Sequence, residues 1–348
     1  MTTMTQTSEF TPADGGASPV IALLLRFRTV LALLVVTLFF AAVAPNFLSV
    51  ANFLIMFKHI AIVAILAIGM TFVILTGGID LSVGSIAGLG GMVAGALLLN
   101  GIVLAPLGVV IYPSVAATIG IVLVLGAALG LVNGLLVTRL GVTPFIATLG
   151  MLYVARGAAL LMSDGATFGN LVGSPDYGNE GFGWLGAGLV LGIPVPVWLL
   201  VLIAAAAAFA AGSTTFGRRV YAVGGNERAA LLSGVRTDRI KCAVYAISGC
   251  AAALVGTLVA SDLVAAHPAS GETFELSAIA AVVLGGASLS GGRGTIGGTI
   301  IGACVISVLG DGMVMVGVSE FWQMVIKGSV IVAAVVLDRL QERFGQAR

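Results

Sequence analysis

The chain has 348 residues, 59% hydrophobic and 9% charged, with a formal net charge of +1. Soluble domains carry about 25% charged residues, and a membrane-spanning helix needs about 20 mostly apolar ones. The composition therefore predicts an all-α polytopic membrane protein of about ten spans. It argues against an outer-membrane barrel, which would show short alternating segments; the net charge says nothing about nucleic acid, because the charges cluster in loops, and no nucleic-acid partner is expected.

Residues 1–20 are rich in Ser, Thr, Pro and Gly and read as a disordered tail. Arg26 and Arg28 precede the first apolar run, Thr29–Ala44. The basic pair lies too deep in the chain for a signal peptide, so this run reads as an uncleaved span. The following spans are Asn52–Leu75, Leu81–Leu99, Ser114–Val137, Pro144–Met162, Leu189–Ala211, Cys242–Ser261, Ser277–Leu289, Thr295–Leu309 and Phe321–Leu337. A Pro-broken apolar stretch occupies 101–113. The third and eighth spans are short or glycine-rich and read as broken or re-entrant. The membrane domain thus covers 21–338, interrupted by a polar segment at 213–241, and residues 339–348 form a C-terminal tail.

Loop charges orient this topology. One side collects Arg26, Arg28, Arg139, Arg293, Arg339, Arg343, Arg348 and six basic residues of the polar segment. The other has only Lys58, with acidic residues from Asp164 to Glu320. The positive-inside rule then places both termini and the polar segment in the cytoplasm. The long outer loop at 163–188 is acidic and glycine-rich, suited to the rim of an external partner.

Within Gly217–Lys241, Arg218, Arg219, Arg228, Arg236, Arg239 and Lys241 face only Glu227 and Asp238 in opposite charge. Asn226 is a good N-cap, and Glu227 follows where a helix dipole favours an acid. Arg228, Ala229, Ala230, Leu231, Leu232 and Ser233 continue the helix, and Gly234 is a natural terminator. A positive-inside loop explains the arginines equally well, but not the apolar residues held between two caps. A second helix start lies at Thr237 or Asp238.

Gly77, Gly78, Asp80, Ser82 and Gly84 join two apolar spans with little room to leave the membrane. This is a helix break near a possible translocation path, in which Asp80 reads more readily as a cap for the third span than as an ion site. The text of 77–84 is echoed weakly at 285–292, and the topology puts both copies on one side. Arg156 and Lys327 are intramembrane cations; such groups face a cavity or a partner, and a structural contact is favoured for Arg156. The histidines, His59 and His267, lack metal-ligand spacing, and the cysteines Cys242, Cys250 and Cys304 read as small buried residues. None of the lysines Lys58, Lys241 and Lys327 stands in a Gly-Lys-Ser/Thr loop, so ATP is not bound here by that device. No His-Glu-x-x-His or Gly-x-Ser-x-Gly occurs, so an intramembrane enzyme ranks below a transporter. No cofactor is expected.

Ile74–Gly88, Thr143–Gly157, Phe216–Lys241, Glu275–Ala303 and Phe321–Asp338 together resemble the bacterial ribose-type sugar permeases, the membrane subunits of ATP-binding-cassette importers. The similarity runs over roughly 28–338. It implies a type II importer-like bundle, a pair of permease copies in the inner membrane, a cytoplasmic ATPase that carries ATP and Mg, and a periplasmic sugar-binding protein. It makes Asn226–Gly234 the segment that couples to the ATPase. The sugar is not specified. An ion-coupled secondary transporter using Asp80 is the competing reading.

Overall fold

The computed structural model describes residues 28–346. The tail expected at 1–20 lies outside the described residues, as do Arg26 and Arg348. The protein is mainly helical: α1 Arg28–Val43, α2 Val50–Leu75, α3 Val83–Leu99, α4 Val115–Arg139, α5 Pro144–Leu161, α6 Trp184–Ala187, α7 Val195–Ser213, α8 Thr215–Gly225, α9 Glu227–Leu232, α10 Thr237–Leu263, α11 Phe274–Leu284, α12 Ile296–Met315 and α13 Glu320–Gln346. Three small two-stranded ribbons decorate the loops.

Each expected span coincides with a helix, and among the described residues six are long and apolar enough to cross a bilayer: α2, α4, α5, α7, α10 and α12. Helices α1, α3 and α11 are apolar but shorter. With 11 residues, α11 reaches about 16 Å, roughly half a bilayer core. The helix α13 continues through the segment read from sequence as a C-terminal tail.

Local chemistry explains most of the boundaries. Ser49 caps α2 by accepting from Asn52 N–H at 3.3 Å, and Ser114 caps α4 in the same way at 3.3 Å from Ala117. Pro144 opens α5. The sixth span starts later than expected. Leu189–Val190 and Ile193–Pro194 pair as a ribbon around a tight turn at Leu191 and Gly192, and the helix begins only at Val195. The apolar stretch after α3 is likewise a hairpin, Ile102–Leu104 against Val109–Ile111.

Helix α2 is the buried centre, packed by α10, α12, α11 and α7. Helix α10 lies along both α4 and α3. Gly126, Gly130 and Gly134 form one face of α4 so close to α10 that no Cβ fits against Gly249, Tyr245 and Cys242. In lipid no hydrophobic force drives helices together, and this backbone approach supplies the packing instead. Cys242, Cys250 and Cys304 are free and half-buried rather than enclosed, a correction to the sequence reading.

Between α10 and α11 the chain does something the sequence does not announce. From Leu263 it turns back and descends along α3 as irregular backbone. Ala266 lies at Gly95, the carbonyls of Pro268 and Ser270 lie at Gly88, and Gly271 lies at Gly84. Gly84 is fifteen residues before Leu99, so this segment reaches about 22 Å below the end of α3. Non-helical backbone at membrane depth persists only where protein buries it or where it lines an aqueous cavity.

Candidate functional site: the polar segment and two helix breaks

The polar segment folds as two helices before α10. Thr214 caps α8, accepting from Gly217 N–H at 3.2 Å. Val220 and Val223 turn inward while Arg218 and Arg219 stay exposed. The sequence reading missed this helix. Asn226 then caps α9 through its side-chain oxygen, 2.9 Å from Ala229 N–H. Gly234 follows with φ +82°, the left-handed conformation that ends the turn. Lys241 joins the second turn of α10 to the first turn of α9 by an ion pair to Glu227 at 2.6 Å.

The predicted residues of α9 divide by side. Ala230 is buried against the bundle, so it is an inward anchor. Leu231 and Leu232 are 58% and 83% exposed, with Arg228, Ser233, Arg236 and Arg239 around them also exposed. A two-leucine knob ringed by arginines thus projects from one end of the bundle.

This platform is keyed to both helix breaks. The Leu75 carbonyl at the end of α2 accepts from Gly292 N–H at 2.9 Å. Gly224 of α8 lies flush on that same carbonyl, with no space for a side chain. A Cβ on Gly291 would stand 2.9 Å from the Gly224 carbonyl oxygen and 3.0 Å from Gly77 N. Tyr221 of α8 donates its hydroxyl to the Gly294 carbonyl at 2.8 Å. Burial holds that phenol above its usual range, so it remains a donor. The two similar glycine-rich texts are therefore neighbours at one end of the bundle, with α8 wedged over both.

Asp80 is fully enclosed and does not cap α3 directly; Ser82 precedes that helix without a side-chain cap bond. Asp80 Oδ1 instead accepts from Ser82 N–H at 3.0 Å and the Ser82 hydroxyl at 2.6 Å. Its Oδ2 accepts from the Ser248 hydroxyl of α10 at 2.9 Å. Asn133 of α4 donates to Ser82 Oγ at 2.9 Å, so the network spans three helices. Gly78 packs on the Tyr245 ring and Gly77 turns with φ +77°. Arg156 does not join this cluster. Its guanidinium holds the descending segment through the carbonyls of Pro268 and Ser270.

Opposite the polar segment, Lys58 pairs with Asp262 at 2.6 Å and His59 with Asp311 at 2.7 Å. A cavity of about 260 Å³ opens between α11, α12 and α13, lined by Thr273, Ser277, Glu320, Gln323 and Lys327 among apolar residues. Of these the sequence reading marked Lys327 as an intramembrane cation and Glu320 only as a loop acid. The i, i+3, i+7 spacing of Glu320, Gln323 and Lys327 is visible there, but its partner face on α11 is not.

Residues 49–335 match the family described as branched-chain amino acid transport system / permease component. The chain belongs to this permease family. Among its relatives, the ribose import permease protein RbsC of Bacillus subtilis is 45% identical over 309 residues, covering 89% of this chain and 91% of that protein. RbsC of Escherichia coli K12 is 40% identical, covering 92% and 96%. The xylose transport system permease protein XylH of Escherichia coli K12 is 35% identical, covering 95% and 96%. No solved structure matches the chain. A permease component is the translocating part of its transport system, not the catalysing one. As a member of this family, the chain is a multi-pass helical permease.

Proposed function

We propose that this chain is the membrane subunit of an ATP-driven importer that moves a monosaccharide or related polyol across the bacterial inner membrane. A cytoplasmic ATP-binding-cassette ATPase docks on Asn226–Gly234, and a periplasmic binding protein delivers the sugar to the opposite end. Two copies of the chain flank the path, each as a ten-span bundle of the type II importer kind with both termini in the cytoplasm. The relatives that import ribose, allose and xylose support the substrate class.

One observation carries the coupling role: the exposed Leu231–Leu232 knob sits on a capped helix whose neighbour, α8, touches both helix breaks. ATP-dependent motion of the knob is then passed to α2 and to the α11–α12 turn. The ion-coupled alternative loses ground because both Asp80 oxygens are committed to serine donors inside the protein.

Reconstitution in liposomes with and without the ATPase and binding protein tests this reading. ATP-driven sugar uptake that needs both partners is expected, and uptake driven by an ion gradient alone sinks it. Leu232→Asp is expected to lower that uptake at least about tenfold, as loss of an interface anchor does, with the amount of chain in the membrane unchanged. Ala230 is a poor test site, since it is buried and a charge there disturbs the fold.

A further inference from the structure

The descending segment between α10 and α11 leaves polar side chains where lipid would otherwise stand. His267, Glu272 and Thr273 are exposed, although the segment reaches the first turn of α3. Exposed polar groups at that depth are costly against hydrocarbon, so this face meets water or a polar solute. Arg156 fixes the segment by holding the carbonyls of Pro268 and Ser270.

The cavity begins where the segment ends. Thr273 and Ser277 supply hydroxyls from one turn of α11. Glu320, Gln323 and Lys327 supply a carboxylate, an amide and an ammonium from successive turns of α13. The Gln323 side-chain N–H already bonds the Val318 carbonyl at 2.9 Å, leaving its oxygen and second N–H for a guest. Among the described residues the Lys327 ammonium has no hydrogen-bond or ion-pair partner; it rests beside Gly310. Leu276, Ile306 and Met324 line the rest.

Ligand pockets combine mostly apolar walls with a few placed polar groups, and drug-sized guests use about 300–1,000 Å³. At about 260 Å³ this cavity suits a single small ring. Several neutral donors and acceptors beside apolar walls match a polyhydroxylated ring, which presents hydroxyls at its edge and C–H groups on its faces.

We infer that this cavity between α11 and α13 is a sugar-binding station of the membrane subunit, with Ser277, Gln323 and Lys327 as its specificity-determining contacts. The inference rests on the proposed sugar-importer function and deepens it.

The test uses the reconstituted transporter with its ATPase and binding protein, and ribose, xylose and allose as probes. In Gln323→Leu and Ser277→Val the ratios of uptake among the three sugars shift by at least about threefold, as expected when a site loses a hydrogen bond to a substrate hydroxyl. A merely structural role would lower all three in proportion, so unchanged ratios overturn the station. If a variant abolishes uptake, a second measurement decides. With Cys242, Cys250 and Cys304 replaced by alanine, Ser277→Cys is exposed to a water-soluble thiol reagent. Slower modification in the presence of transported sugar supports the station, and equal modification with and without sugar overturns it. Wild-type uptake of leucine and none of the three sugars overturns the station together with the sugar-importer reading. Wild-type sugar uptake with unchanged ratios overturns the station alone.

Discussion

Asp80 is fully buried, and its three hydrogen bonds among the described residues come from Ser82 and Ser248. In Asp80→Asn the carbonyl oxygen still accepts from Ser82, and the Ser248 hydroxyl can rotate to accept from the new amide. That exchange is expected to cost about 1 kcal/mol. Asp80→Ala leaves the Ser82 and Ser248 hydroxyls without an acceptor and is expected to cost about 1–3 kcal/mol. Thermal unfolding in detergent checks the order. The Asn variant should retain ATP-driven uptake; gradient-driven uptake by the wild type that the Asn variant loses with stability intact would restore the ion-coupled reading. The sequence made Asp80 conspicuous as an acid amid apolar text with Ser82 two positions on, but Ser248 lies 168 positions from Asp80 and Asn133 reaches Ser82 from 51 positions away. No local pattern encodes such a meeting. Arg156 differs in the same way: its charge at membrane depth was visible, whereas the carbonyls it holds belong to a segment more than a hundred residues on.

At the scale of elements, capping chemistry was readable and backbone approach was not. The Asn226 cap and the Gly234 stop follow from side-chain hydrogen bonding and left-handed glycine, whereas α10 starts at Thr237 with no side-chain cap bond. Helix α8 was hidden because Gly217, Gly224 and Gly225 lower helix propensity. Here tertiary contact wins, since Gly217 and Gly224 are where the helix touches its neighbours. The sixth span was placed too early because apolar residues continue through a ribbon that only Gly192 and Pro194 interrupt. If α8 transmits motion to the α11–α12 turn, Tyr221→Phe removes one hydrogen bond from the lever without altering the knob. About 1 kcal/mol of lost coupling corresponds to a several-fold rise in ATP hydrolysed per sugar transported. Basal ATPase activity of the assembled complex should be unchanged. A ratio equal to wild type would show that Tyr221 only braces the fold.

For the whole molecule, the membrane class and the places of the apolar runs follow from composition and run length, while depth does not. Ten runs become ten helices, yet α11 is too short to cross and its missing half is the irregular descent beside α3. Orientation rests on charge: the exposed arginines of α8, α9 and α10 gather at one end, and the Lys58–Asp262 and His59–Asp311 pairs at the other. Single cysteines in a background lacking Cys242, Cys250 and Cys304 check this directly. Arg218→Cys in intact cells is expected to resist an impermeant thiol reagent until the membrane is opened, and Leu191→Cys to react at once. The reverse pattern would invert the proposed topology.

The flush contact of Gly224 with the Leu75 carbonyl also bears on how this chain can diverge. Any single-base change in a glycine codon that alters the residue installs at least a β-carbon. At Gly224, and equally at Gly302 against Ala281 and Gly256 against Ala87, that carbon would occupy a backbone carbonyl. A saturation library selected for transport should therefore be empty at these columns, alanine included, while Gly225 and Gly297, which face open space, should fill freely.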